Sequence, residues 1–408
     1  MMTIFSKPVV SEPWQELYWQ KFLAIGLPSK KSEAYQYFPS LKFSEYIERV
    51  EAAASTAQLG ENKGNIEFVF ANGQFSADFS SLGGLPSKVL VLSLEEALRS
   101  SSHRSLLQHR LNTLLKEETD PMALLNGACS EKGLFIYIPP KTEISLPIEF
   151  LFIQTDPLCV HAAPRVHIVV GADARVELIS SIEGGAIVNG YMDISLEERA
   201  SVFHTFHSGQ SREDFGFMAV RAALKKDSSF RSIICSYQAK CHREDYKVSL
   251  LGEGAKTELM GLSALTENGH FHAKMQVEHR AENCQSQQTF KQVLSGQSRS
   301  SFTGTIFVEE CAQKTQAYQM SRSLLLSDGA IAYAKPNLEI FADDVKASHG
   351  ATIAQIDEEQ RQYLQSRGIP FSTAGALLTR GFCQEIIEHI PHEWIKQKCD
   401  KGCMQCLS

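Results

Sequence analysis

The sequence predicts a mainly β protein with helical ends: a parallel β-helix between an N-terminal helical region and a C-terminal helical domain. Three observations carry this expectation. Short alternating runs replace the helical period from about Gly133 to Val345. Within them, a polar turn, a small residue and an alternating run recur. Ala174, Ala200, Ser228 and Ala255 mark the repeat at spacings of 26, 28 and 27 residues, with weaker copies near Asn283 and Gln313. No helical segment separates the runs. A steady period without intervening helices describes a solenoid whose coils pair with their neighbours. About 27 residues accommodates two strands of roughly six to eight residues plus two turns, at about 3.3 Å per residue. An antiparallel sandwich, which also shows regular short strands, is the competing fold.

The flanks carry their own signals. Trp14 to Leu23 spaces apolar residues three to four apart, as an amphipathic helix does, and Gly26-Leu27-Pro28-Ser29 stops it. Ile66 to Phe70 alternates and runs into Asn72-Gly73, a strand entering a tight turn. Leu94 to about Leu115 reads as helix. After the β region, Asp357-Glu358-Glu359-Gln360 offers a capping carboxylate and an acidic first turn, and Arg367-Gly368 a stop. Ser372-Thr373 offers a cap for a second helix with the stripe Leu378, Phe382, Ile386, Ile390, ended by Pro391. The expected division is 1–132 (mainly helical), 133–350 (β-helix) and 351–408 (helical).

Composition narrows the function. Hydrophobic content of 43%, charged content of 21% and 408 residues are those of a soluble globular protein of two or three domains. A net charge of −7, with Lys30-Lys31 and Lys225-Lys226 as isolated pairs, argues against a nucleic-acid partner. No run of eighteen apolar residues predicts a membrane span. The first residues lack a signal-peptide layout, and ten cysteines are too dilute for a disulfide scaffold. A cytoplasmic chain with reduced thiols is the expectation. There is no Gly-x-x-x-x-Gly-Lys-Ser/Thr loop, Gly-x-Ser-x-Gly elbow, His-Glu-x-x-His or Gly-x-Gly-x-x-Gly. The chain is therefore not expected to be an enzyme, and any ATP that drives it must be held by a partner.

The longest informative stretch runs from Pro336 to Thr352, with Asp343-Asp344 and then Ser348-His349-Gly350. It continues through Asp357 to Gln360 and Tyr363 to Ile369. In that order these motifs closely resemble the SufD branch of the SufB/SufD family, the scaffolds of SUF iron–sulfur cluster assembly. Phe302 to Val308, Ser321 to Ser327 with Ala330, and Gly26-Leu27-Pro28 with Glu33 and Tyr37 are weaker matches to the same family. Ser321 stands where SufB has a working cysteine, and Ala347 where the family commonly has one.

The resemblance implies a right-handed parallel β-helix that pairs with SufB through its terminal strands and docks the ATPase SufC through its C-terminal helices; Leu378, Phe382 and Ile386 are candidates for that contact, with packing on the chain's own β-helix end as the plainer role. It implies that His349 faces SufB at the cluster-assembly interface and transiently holds iron or a nascent cluster, with SufB ligands. Imidazole is a competent iron ligand. Asp343, Asp344 and Ser348 are candidate neighbours that orient the ring, although turn capping is the plainer role for two adjacent carboxylates. No stable cofactor is expected on this chain alone, ATP belongs on SufC, and a flavin on the complex is left open. A carbohydrate-active β-helix enzyme, a polysaccharide lyase or hydrolase, is the alternative. SufB itself is a third reading, which Ser321 opposes.

Other features have plainer readings. Cys399-x-x-x-Cys403-x-x-Cys406 is expected as an exposed tail, with metal or cluster handling as the sharper alternative and no evident fourth ligand. His204 and His207 fall on opposite faces of a strand, whereas His270 and His272 share one. With His279 these two are expected in polar stacking along the solenoid surface.

Overall fold

The computed structural model describes residues 12–49, 64–131, 133–154, 156, 161–183, 187–208, 215–237 and 240–405. The described chain starts with α1 (Pro13–Ile25) and α2 (Ser40–Arg49), then β1 (Ile66–Ala71), β2 (Gln74–Ser81) and β3 (Leu90–Ser93). Helices α3 (Leu94–Arg99), α4 (Arg104–Glu117) and α5 (Pro121–Cys129) follow. Next come β4 (Leu134–Ile138), β5 (Ile148–Ile153), β6 (His161–Ala162), β7 (Arg165–Val170), β8 (Arg175–Glu183), β9 (Ile187–Leu196), β10 (Ser201–Ser208), β11 (Phe215–Leu224) and β12 (Ser229–Tyr237). The series continues with β13 (Cys241–Leu250), β14 (Lys256–Leu265), β15 (His270–His279), β16 (Gln285–Leu294), β17 (Arg299–Val308), β18 (Thr315–Leu325), β19 (Ile331–Ile340) and β20 (Val345–Gln355). Helices α6 (Glu358–Ser366), α7 (Phe371–Ile387) and α8 (Glu393–Met404) end it.

From β7 onward consecutive strands alternate between two sheets. The first sheet is ordered β2-β1-β5-β8-β10-β12-β14-β16-β18-β20 and the second β19-β17-β15-β13-β11-β9-β7-β4-β3. Neighbours along the solenoid are parallel and in register, as in Ser201↔Ser229 and Gln285↔Gln316. This is the expected two-faced parallel β-helix, not a sandwich.

The repeat markers label one corner. Asp173, Arg199, Asp227, Gly254, Asn283 and Lys314 all have positive φ, and each directly precedes a buried residue: Ala174, Ala200, Ser228, Ala255, Cys284 or Thr315. Short polar residues and glycine tolerate that left-handed conformation best, which is why the corner reads as a polar patch. Each left-handed residue donates its N–H to the next coil, from Asp173 to the Glu198 carbonyl (2.9 Å) through to Lys314 and the Asp344 carbonyl (2.6 Å). Inward side chains such as Phe150, Leu178, Phe230, Val248 and Phe290 fill the interior as one continuous core.

Local signals explain most boundaries and three differences. Asn72 and Gly73, at φ 54° and 84°, close the β1–β2 hairpin as expected. Asp357 caps α6 by accepting from the Glu359 and Gln360 N–H groups (2.8 and 3.3 Å). The 94–115 helix is two helices, because the turn through Ser100 to His103 separates α3 from α4. The sheets also exceed the expected 133–350 core. β1 pairs with β5 and β3 with β4, and β20 runs on to Gln355. Helix α7 starts at Phe371 behind Pro370, so Ser372 and Thr373 sit in its first turn instead of capping it.

Candidate functional site at the open end of the solenoid

Strands β19 and β20 end their respective sheets, so each leaves one edge unpaired among the described residues. His349 is in the middle of β20. It pairs with Gln319, which pairs with Gln288. Both glutamines are buried, and Gln319 Nε2 donates to Gln288 Oε1 at 3.2 Å. His349 thus continues an inward column of the first sheet. It is exposed only because no further coil covers it. Beside it, Ile306, Val308, Ala317 and Ala342 form a small apolar plug, with Leu338, Val345 and Ala347 partly buried against them.

The expected orienting residues do not gather around this ring. Asp343 and Asp344 are in the corner between β19 and β20, both exposed. Asp344 is committed there through its backbone: its N–H donates to Gln313 Oε1 (2.9 Å) and its carbonyl accepts from Lys314 (2.6 Å). Five residues of strand put it about 16 Å from His349, too far to orient an imidazole. Ser348 pairs with the exposed Tyr318 and, one residue from His349, faces the other way. The contacts both aspartates make in this corner are backbone ones, the Asp343 carbonyl accepting from the Val345 N–H (3.2 Å).

Among the described residues no group of three or more His, Cys, Asp and Glu is arranged to hold a metal. His349 belongs to no such group among the described residues. Ser321, at the position of the absent cysteine, is buried on the inward face beside Ala351.

The docking stripe is largely occupied. Ile386 and Ile390 are buried against the outer face of the first sheet, together with Ile233, Met260 and Leu262, and Phe382 packs on the same cluster. Lys291 lies 4.4 Å from the Phe382 ring centroid and donates to its carbonyl (2.9 Å). Helix α7 needs this face for packing, so Ile386 is closed to a partner. Leu378 remains half-buried, while Phe371, Leu377 and, on α6, Tyr363 are exposed.

The terminal thiols are a further correction. Cys399 and Cys403 are buried on the inner side of α8, and Cys406 lies outside the described residues. The histidines separate as strand geometry demands. His204 points inward between the Ser180 and Ser232 hydroxyls (2.7 and 3.0 Å), and His207 points outward against Trp394. His270 and His272 are buried on the outer face, His272 against Phe38, whereas His279 is on the inward face with Ser286 (2.8 Å). A shared surface stack is thus excluded.

Sequence reading missed an interior pair. His242 and Glu244 point into the β-helix and are fully buried, with a hydrogen bond between His242 Nε2 and a Glu244 carboxyl oxygen. Burial pushes the Glu244 carboxyl well up and the His242 imidazole down to about 3. Each shift favours the uncharged form of its group. The signal was present: Cys241-His242-Arg243-Glu244-Asp245 puts four ionisable residues in a strand whose neighbours are apolar inside.

Comparison with known proteins agrees with this architecture. Residues 152–382 match the family described as the SUF system FeS cluster assembly, SufBD core domain, and residues 61–150 match the SufBD protein N-terminal region. An iron–sulfur cluster assembly SufBD family protein of Synechocystis is 30% identical, covering 94% of this chain and 88% of its own. Protein ABCI7, chloroplastic, of Arabidopsis thaliana is 26% identical over 93% and 82%. The iron–sulfur cluster assembly protein SufD of Escherichia coli is 25% identical over 95% and 90%. With its core model matched over more than half its length and its two sheets wound as a β-helix, the chain belongs to the SufBD family of iron–sulfur cluster assembly proteins.

Proposed function

We propose that this chain is a SufD-like, non-catalytic scaffold that pairs edge to edge with a SufB-type partner through β19 and β20. His349 contributes one ligand for iron or a nascent cluster held at that seam as cargo. The observation that carries this is an exposed imidazole in the middle of a strand whose outer edge is unpaired. An unpaired edge invites a strand from another chain, and an unsatisfied set of ligands requires donors from it. Ser321 in place of a cysteine favours the SufD-like side of the family over the SufB-like side.

A SufC-type ATPase would dock on the C-terminal helices. Because Ile386 is buried, that contact falls to the outward side, where Phe371, Leu377 and Tyr363 are exposed. A cytoplasmic location belongs to the same proposal. Among the described residues, no helix is long and apolar enough to cross a membrane. The carbohydrate-active alternative gains no support from the family matches.

The test is co-expression with SufB and SufC, followed by complex mass and bound iron. His349→Ala should leave the complex mass unchanged and lower the cluster formed on it. Unchanged cluster yield removes the site assignment. Failure to recover either partner removes the scaffold assignment.

A further inference from the structure

Four cysteines distant in sequence meet where the C-terminal helices cover the first sheet. Cys235 is on β12, Cys383 on α7, and Cys399 and Cys403 on α8. Each is at most 2% exposed, and all four belong to one buried cluster with Ile233, Leu262 and Ile395. Helix α8 can seat this closely because Gly402 faces Tyr237, where an added Cβ would come within 2.6 Å of the ring. The thiols are free, and within this cluster Cys235 neighbours Cys399 and Cys383 neighbours Cys403, with the other two thiols close to each pair. Among the described residues they do not form a metal-holding group. Two neighbouring thiols suffice for a disulfide, whereas a tetrathiolate centre needs four sulfurs around one point.

We propose that these two thiol pairs are disulfide-forming sites that, on reaction with a peroxide, fasten α8 to the β-helix and to α7. In each pair one sulfur attacks a peroxide oxygen, the O–O bond breaks, and a sulfenic acid and water result. The partner sulfur then attacks the sulfenic sulfur, the S–O bond breaks, and a second water leaves as the S–S bond forms. Two thiols lose two electrons and two protons, and hydrogen peroxide accepts them as two waters.

The closed structure restrains this chemistry. The neighbouring thiol and burial push Cys235 and Cys403 well above the ordinary thiol range, so neither supplies the reactive thiolate while α8 is seated. Helix α8 buries only the side carrying Ile395, Cys399, Gly402 and Cys403. Reaction therefore follows local opening of this last described helix, and the bonds then oppose reopening.

The experiment treats the purified full chain with hydrogen peroxide, then digests it without reductant for mass spectrometry. Cross-linked peptides Cys235–Cys399 and Cys383–Cys403 are expected, with these four thiols lost to titration in denaturant in addition to the exposed Cys311. Amide exchange across α8 should slow about tenfold relative to the reduced chain. Cys399→Ser should abolish the first cross-link and leave the second. The proposal is overturned if all four thiols persist after peroxide has consumed the exposed Cys311, or if the cross-links join other partners. It is equally overturned if the chain purifies with a bound metal that protects all four thiols until it is chelated.

Discussion

On the outer face of the second sheet the N-terminal helices are seated by buried ion pairs set within an aromatic and aliphatic cluster, whereas on the first sheet the C-terminal helices are seated by aliphatic side chains and thiols. Arg221 donates to both Glu118 carboxylate oxygens (2.9 and 3.0 Å) and to Asp245 (2.9 Å), and Arg110 and His167 both reach Asp193. Arg165 is wholly buried, 3.9 Å from the Tyr191 ring centroid. Opposite them, Ile386, Ile387, Ile390 and Ile395 pack on Ile233, Met260 and Leu262, with Lys291–Glu385 (2.5 Å) as an ion pair at the margin. The difference teaches how a solenoid fixes its covers. Apolar contact is nondirectional and loses stability in proportion to the volume removed. A buried ion-pair network dictates one orientation, and losing one partner leaves a bare charge in a poor solvent.

Acid should have the largest effect and should strike the whole molecule. Burial holds His204, His207 and His242 down at about 3, and His161, His167, His270 and His279 down at about 4. As pH falls below about 6.5 the unfolded chain binds these protons first, so stability is full above that pH and drains away toward the folded values. The Asp193, Asp245 and Glu118 carboxyls, which burial alone would raise, are held low by arginine or lysine partners. Their contribution is lost in the same direction, at lower pH. Denaturant titrations between neutral pH and about pH 4 should show this decline. A flat profile would mean the histidines are not buried as described.

Arg221→Met should come next, costing about 3–5 kcal/mol because Glu118 and Asp245 lose their shared cation. Ile395→Ala on the apolar side should cost about 2–4 kcal/mol, with amide exchange rising mainly in α7 and α8. If both variants unfolded the chain identically, the contrast between the faces would be lost. Arg380→Ala breaks the exposed pair with Asp400 (2.9 Å) and should change stability by less than about 1 kcal/mol, which calorimetry can bound.

The contrast also explains what the sequence disclosed. The corner repeat was legible because left-handed backbone admits few residue types and recurs once per coil. The apolar interior was legible from alternation. The covers were not. The α7 stripe announces a buried face without saying what buries it, and the outer face of a strand is indistinguishable from a solvent face when arginines and carboxylates line it. Glu118 and Arg221 are 103 residues apart, and Cys235 and Cys399 farther still. Such pairs exist only once the coils are wound. Asp343 and Asp344 misled because two carboxylates near a histidine suggest a site, whereas strand length separates them from it.

The corner column has a terminus of its own. The left-handed residues of this corner, Asp173 through Lys314, hand their amide hydrogens forward, but Asp344, which is not left-handed, gives its amide hydrogen back to the Gln313 side chain. That glutamine acts as an end-stop. A further coil stacked here would gain no hydrogen bond from that amide, which is already satisfied. Runaway polymerisation, a standing hazard for any protein with open sheet ends, is thereby discouraged at one corner while the flanking strands stay available to a chosen mate.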